Sequence, residues 1–291
     1  MKVNVNRIVY LDGAWLEEAE AKVSVFDRGF LFADAVYEVT AVIGGKLIDY
    51  AGHAARLQRS LGELALACPM APEDLLAIHR EIVARNALDE GLIYLQISRG
   101  PADRDFAFPG TASPTLVLFT QAKAVLDNPY NQTGITVITV PDQRWARRDI
   151  KTVQLLYPSM AKMEALRQGA QDAWLVEDGF VTEATSANAH IVTVEGRLVT
   201  RPLSHAILPG ITRATIVELA RAAGLPVEER AFTPEEAKQA SEAFVTSATN
   251  FALPVVSIDG AEVGNGRPGP ITERMRALYI AERLSLAEPV T

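Results

Sequence analysis

Two lobes of mixed strand and helix, an α+β chain of two α/β domains, are what this sequence predicts, and three observations carry that reading. Segments with alternating apolar residues interchange with segments of helical period along the whole chain, and no fixed repeat runs through them. The length, 291 residues, lies in the range of roughly 250–300 at which a single core stops growing. A polar stretch from Lys123 to Asn131, with Pro129 inside it, interrupts the pattern as a crossing between lobes would. The expected domains are residues 1–122 and 132–291, joined by a linker at 123–131, with the boundary near residue 125.

The elements follow in order. Ile8 to Leu11 and Ala14 to Leu16 flank Asp12-Gly13, a hairpin signal, and Val36 to Ile43, Gly44-Gly45 and Lys46 to Ile48 repeat it. Leu57, Leu61 and Leu64 mark one helical stripe; Pro72-Glu73-Asp74 opens a second helix carrying Leu75, Ile78 and Ile82. Strands are predicted at Leu92 to Ile97 and Thr115 to Thr120. The second half has candidate strands at Ile135 to Val140, Ala173 to Val176, His190 to Val194, Ala243 to Thr246 and Val255 to Ile258. Its helices are expected at Ser159 to Arg167, Thr212 to Ala223 and Glu273 to Leu286, the middle one stopped by Gly224 and Pro226.

Composition excludes several classes. Apolar residues are 48% and charged residues 22%, an ordinary globular balance. A formal charge of −8 leaves no basic face, so nucleic acid is not an expected partner. The polar start Met1 to Asn6, with no apolar run of the roughly 18 residues that span a bilayer, predicts a cytoplasmic protein without membrane attachment. Cys68, the one cysteine, sits in an apolar run and reads as a small core residue. The four histidines, His53, His79, His190 and His205, lack metal-ligand spacing, so no metal is expected.

Three local features remain. Lys151 lies in the otherwise apolar stretch Ile150 to Leu156; it is either a snorkelling edge lysine or a desolvated amine able to form an imine with a carbonyl. Leu208-Pro209-Gly210-Ile211-Thr212-Arg213 brings a glycine into a helix start, which is either an ordinary turn or a phosphate site made of unpaired N–H groups. Thr182-Glu183-Ala184-Thr185-Ser186-Ala187-Asn188 surrounds a carboxylate with small polar residues. It is either a polar turn or the acceptor for a protonated ring nitrogen.

In this order and spacing the three features resemble the fold-type IV pyridoxal-phosphate-dependent aminotransferases, and within them the bacterial D-amino acid group. The resemblance runs from about Tyr10 to Ser257 and includes Asp27-Arg28-Gly29, Val36 to Val39, His53 to Leu57, Arg144-Trp145, Asp149 to Lys151, Val181 to Glu183, Gly210 to Arg213 and Phe244 to Ser247. It implies two α/β domains with pyridoxal 5'-phosphate in the cleft between them, the second domain carrying the Schiff-base lysine, Lys151. It further implies a homodimer that takes an amino donor and a 2-oxo acid acceptor. By the same resemblance Arg56, Ile211, Thr212 and Ser247 bind the phosphate side, Glu183 pairs with the pyridine nitrogen, and Leu208 packs on the ring. Glu38, His53 and Arg144 form a polar network behind it.

The substrate carboxylate is then expected at Tyr37 and at Arg104, on a loop contributed across the dimer interface, with Phe106 standing where the group has histidine. Phe30, Ala35 and Ala184 replace a usual tyrosine and two glycines, and Ala248 lacks a hydroxyl expected beside the phosphate. The implied activity is transamination of D-amino acids with 2-oxo acids, with a modified carboxylate trap. The alternatives are an (R)-selective amine transaminase, a branched-chain L-amino acid aminotransferase, an aminodeoxychorismate lyase, or a cofactor-free binding protein of the same fold.

Overall fold

A computed structural model describes residues 7–111 and 113–287. The polar start at residues 1–6 lies outside them. The described chain divides into two compact units. One holds everything up to Val125, the segment Ile150–Gln154 and the chain from Leu286; the other holds Leu126–Asp149 and Leu155–Ser285. Ile150–Gln154, between the two segments of the second unit, groups with the first because its backbone pairs with a strand there.

The first unit begins with β1 (Ile8–Leu11) and β2 (Ala14–Glu17), whose turn has positive φ at both Asp12 and Gly13, the geometry that matches strand twist. A short helix α1 (Arg28–Phe32) precedes β3 (Ala35–Ile43) and β4 (Lys46–Leu47). Next come α2 (Tyr50–Glu63), α3 (Pro72–Arg85), β5 (Glu90–Ser98) and β6 (Thr115–Ala122). The sheet is antiparallel throughout, in the order β2-β1-β6-β5-β3-β4. Alternation on β3 sends Val36, Glu38, Thr40 and Val42 into the buried side and leaves Tyr37 and Val39 half-buried on the other. The α2 helix packs against β3 through Leu57 and Leu61, while Leu64 falls at its C-terminal cap. Because the chain turns at Ala65, in the left-handed region, Leu66 takes the buried place and Cys68, expected in the core, is only half-buried.

The first helix of the second unit, α4 (Tyr130–Thr133), begins inside the expected linker and runs two residues past its end. The unit continues through β7 (Ile135–Pro141), α5 (Leu156–Arg167), β8 (Asp172–Glu177), β9 (Phe180–Ala184), β10 (Asn188–Val192), β11 (Leu198–Thr200) and α6 (Ile211–Ala222). Then come β12 (Val227–Glu229), α7 (Pro234–Lys238), β13 (Glu242–Ser247), β14 (Phe251–Ile258), β15 (Ala261–Glu262) and α8 (Pro270–Leu286). The strand expected to run from His190 to Val194 stops at Val192, where Thr193 to Gly196 turn the chain. The sheet order is β12-β11-β10-β13-β14-β7-β8-β9, with β15 on β14, and β7 runs parallel to both of its neighbours.

Strands β9 and β10 stand five ladder steps apart, roughly 24 Å in a flat sheet, yet only Thr185–Ala187 join them, a reach of at most about 14 Å. The sheet therefore curls until the two strands meet, and the Ala184 N–H donates to the Ala187 carbonyl at 2.8 Å. Its interior is filled by Trp174, Val181, Ile191, Phe232, Val245 and Val255.

Two glycines of the first unit should respond oppositely to alanine. At Gly91 in β5, with φ +157°, a Cβ would sit 2.2 Å from the Gln121 carbonyl oxygen; at Gly62 in α2 nothing lies within 4 Å. Gly91→Ala is expected to lower the unfolding free energy by ~2 kcal/mol or more, and Gly62→Ala to raise it by ~0.5–1 kcal/mol, both read by denaturant unfolding.

Candidate active site

Lys151 lies against the free end of β3. Val36 and Thr152 form an antiparallel bridge, the Tyr37 N–H donates to the Lys151 carbonyl at 3.0 Å, and the Val153 N–H donates to the Ala35 carbonyl at 3.2 Å. The Lys151 N–H donates to Ser60 Oγ of α2 at 3.3 Å. With its backbone held, the side chain carries Nζ to 4.1 Å from the centre of the Tyr37 ring, within cation–π range, and no carboxylate pairs with it among the described residues. Tyr37 stacks on Tyr94 at 5.6 Å, and Tyr94 on Phe119 at 4.8 Å, so an aromatic row crosses three strands on this face.

On the opposite face of β3, Glu38 meets α2. Its Oε1 accepts from Arg56 Nε at 2.8 Å; its Oε2 accepts from Arg56 Nη2 at 2.8 Å and lies 2.7 Å from His53 Nδ1. Burial alone would push Glu38 up, but the charge and forked hydrogen bonds of Arg56, with the His53 contact, outweigh it and hold the carboxyl at about 2. Of the polar network expected at Glu38, His53 and Arg144, the first two bond each other and Arg56 within the first unit. Arg144 follows β7 and bonds Asp142 and Glu183 within the second unit.

There, Arg144 donates to Asp142 through Nε and Nη2 at 3.0 and 2.7 Å, and to Glu183 Oε1 through Nη1 at 2.7 Å. Asn188 Nδ2 donates to Glu183 Oε2 at 3.0 Å and to the Leu208 carbonyl at 2.9 Å. Glu183 is no polar turn: Thr182, Glu183 and Ala184 are buried residues of β9, and the turn comes after them. Burial pushes the Glu183 carboxyl up, and the charge and hydrogen bond of Arg144 recover only part of that. Asp142, bonded by Arg144 and by the Thr182 hydroxyl, is held low despite its own burial.

Gly210 caps α6 without a side-chain hydrogen bond, so the first-turn N–H groups of Ile211 and Thr212 receive no capping side chain. A Cβ at Gly210 would lie 2.0 Å from Asn188 Oδ1, which is why glycine is required there. Ser247 ends β13, one residue beyond Thr246, the cross-strand partner of Asn188; the helix start and the end of β13 thus flank the same asparagine.

Arg104 and Phe106 stand on an exposed loop of the first unit. Phe106 is 79% exposed and meets the Phe32 ring edge to face at 5.6 Å. The Arg104 guanidinium lies 5.5 and 5.6 Å from the Phe32 and Phe106 ring centres and makes no hydrogen bond among the described residues. Sequence reasoning missed Asp142, Ser60 and Tyr94. Only Asp142 had a signal, a carboxylate two residues before a noted arginine.

A family model described as amino-transferase class IV matches residues 35–258. A D-alanine aminotransferase of Bacillus licheniformis is 37% identical over 270 residues, 92% of this chain and 94% of that protein. Among solved structures, a branched-chain amino acid aminotransferase of Escherichia coli superposes with TM-score 0.91 over 98% of this chain and 100% of its own; at 22% identity the likeness is one of fold. A hypothetical aminotransferase of Mycobacterium tuberculosis in its PLP-bound form superposes with TM-score 0.83 at 25% identity, covering 96% of this chain and 99% of that one.

Glu38→Gln is expected to lower stability at neutral pH by ~3–5 kcal/mol, because it leaves Arg56 buried with a neutral partner. The folded pKa of Glu38 lies below its ordinary 4.5, so the ionised carboxylate stabilises the wild type above that pH and is lost toward 2. The difference between wild type and variant should therefore close as the pH falls from 4.5 to 2, measured by urea unfolding.

Proposed function

The chain belongs to the amino-transferase class IV family, as a pyridoxal-phosphate-dependent aminotransferase, and from that premise we propose that it moves amino groups between D-amino acids and 2-oxo acids. The observation that carries the substrate class is the 37% identity to a D-alanine aminotransferase over nine-tenths of the chain.

The residues present fit the cofactor. A lysine without an ion pair suits an aldehyde, an uncapped helix start with Thr212 and the Ser247 hydroxyl suit a phosphate, and a buried carboxylate suits a protonated ring nitrogen. When bound, pyridoxal phosphate supplies an aldehyde that joins amines and a ring that takes up the electron pair left at the substrate Cα. Lys151 would supply the amine that joins that aldehyde, and the same side chain, when free, would take the Cα proton and return it. Its pinned backbone holds Nζ over Tyr37 while it does so. Glu183 accepts from the ring nitrogen, and Arg144 and Asn188 orient its two oxygens. Ile211, Thr212 and Ser247 hold the phosphate, Leu208 packs on the ring, and Arg56, fixed by Glu38, adds positive charge on the phosphate side.

Tyr37 and Arg104 are assigned to the substrate carboxylate, with Phe106 in place of a further donor. The loop acts across a homodimer in this reading. Exposed Phe26, Phe30, Phe106 and Phe108 on the first unit and exposed Leu156, Met160 and Met163 on the second support burial against another copy. No helix among the described residues is long and apolar enough to cross a membrane, and action in the cytoplasm is part of the same proposal.

Lys151→Ala should lose the borohydride-reducible cofactor adduct and all transamination, whereas Glu183→Gln should keep the cofactor but slow single-turnover Cα deprotonation at least ~100-fold. Because burial raises the Glu183 carboxyl, the wild-type rate should fall on the acid side at a pH above the ordinary glutamate range, and the variant should lack that limb. Arg104→Ala should reduce kcat/KM for D-alanine by roughly 10- to 150-fold, the scale of a hydrogen bond to a charged group, with far less effect on (R)-1-phenylethylamine. A wild type that turns over only L-amino acids would overturn the reading.

A further inference from the structure

Arg28 is 2% exposed at the start of α1, and its guanidinium links a buried carboxylate to the loop that carries Arg104 and Phe106. Its Nε donates to Asp34 Oδ2 at 2.8 Å, while its Nη1 donates to the Asp105 carbonyl at 2.7 Å and reaches the Ala107 carbonyl at 3.4 Å. Those two carbonyls flank Phe106. Asp34 is also gripped by Arg99, whose Nε and Nη2 donate to its two oxygens at 2.8 and 3.1 Å. Arg99 in turn reaches the Leu64 and Ala65 carbonyls beyond α2, and its guanidinium lies 3.7 Å from the centre of the Phe108 ring. Phe32 completes the support, with Arg28 on its ring at 4.5 Å and Phe106 against its edge.

An exposed loop bearing two aromatic rings in water is ordinarily free to reorganise. Here its carbonyls are tied from below by a buried, planar, forked donor that is held by Asp34. We propose that Arg28 is the positioning residue of this loop: through the Asp105 and Ala107 carbonyls it fixes where Arg104 and Phe106 stand, and so sets how strongly a substrate carboxylate is preferred. The inference rests on the reading that Arg104 meets that carboxylate. Arg28 touches neither substrate nor cofactor in this role. A lysine in its place keeps a charge for Asp34 but lacks the fork that serves the carboxylate and the carbonyls together.

The test uses holoenzyme variants Arg28→Lys and Phe32→Leu, the second at a half-buried position where folding is not in question, with Arg104→Ala alongside. Hydrogen exchange of loop peptides covering residues 103–110 should accelerate about tenfold in Arg28→Lys, the scale of one lost hydrogen bond, and several-fold in Phe32→Leu, which removes the ring against Arg28 and Phe106, while the β5 peptide stays protected. KM for D-alanine should rise about tenfold with kcat changed less than about twofold, and KM for (R)-1-phenylethylamine should move much less. Unchanged loop exchange in both variants overturns the proposal. If Arg104→Ala raises KM for D-alanine and the two positioning variants do not, the clamp falls and the substrate reading stands. If Arg104→Ala leaves that KM unchanged, the substrate reading falls and takes the clamp's part in specificity with it.

Discussion

Everything chemical in the first unit depends on a few backbone hydrogen bonds that lay residues 150–154 along the open end of β3. A lysine in a loop would sample many positions, and its long side chain has about 2 kcal/mol of rotamer entropy to lose on being ordered. Here the Lys151 carbonyl and N–H are both used, the first by Tyr37 and the second by Ser60, so only the side chain retains freedom. β4 is so short that it covers only Val42 and Ile43, which leaves the Ala35–Tyr37 end of β3 available for this extra pairing. The period of the strand then decides the rest. Tyr37 faces the lysine and Glu38, the next residue, faces α2, so one strand separates the Lys151 amine from the Glu38 carboxylate.

Two buried glutamates show how the same desolvation is resolved in opposite directions. Glu38 receives a forked arginine on both oxygens and a histidine besides, and its carboxyl is held low. Glu183 receives one arginine nitrogen and one asparagine nitrogen; Arg144 divides its donors between Glu183 and Asp142, and the carboxyl remains above its usual range. The second arrangement leaves each Glu183 oxygen with acceptor capacity, which a partner of a protonated ring nitrogen needs. The first commits Glu38 to fixing Arg56, and suits a structural carboxylate.

The sequence was most legible where a local signal and the tertiary environment agree. The hairpin at Asp12-Gly13, the helix opened by Pro72 and the glycine entering α6 all have backbone requirements that only certain residues meet. Glu183 was legible as a carboxylate of interest but not as a strand residue. The run from Thr182 to Asn188 reads as a turn, whereas Thr182, Glu183 and Ala184 are buried strand and only Thr185–Ala187 turn, a consequence of strand order that no window of sequence contains. The same limit hid the true surroundings of Lys151, since its partners Tyr37 and Ser60 lie 114 and 91 positions away.

Asn188 explains why Glu183 and the Gly210 turn into α6 cannot vary independently. Its amide nitrogen holds both Glu183 and the Leu208 carbonyl, while its amide oxygen occupies the space a side chain at position 210 would need. A shift of Glu183 would draw Asn188 away from Leu208, and a side chain at Gly210 would push it toward Glu183. The three-residue link between β9 and β10 places Asn188 beside Glu183, and the β10–β13 pairing places it beside Thr246 and the end of β13. A single carboxamide thus sets the spacing between the Glu183 carboxylate and the start of α6. Asp at this position would replace the donor by a second carboxylate against Glu183, and Ala would leave Glu183 without one of its side-chain donors, so neither substitution preserves both halves of the arrangement.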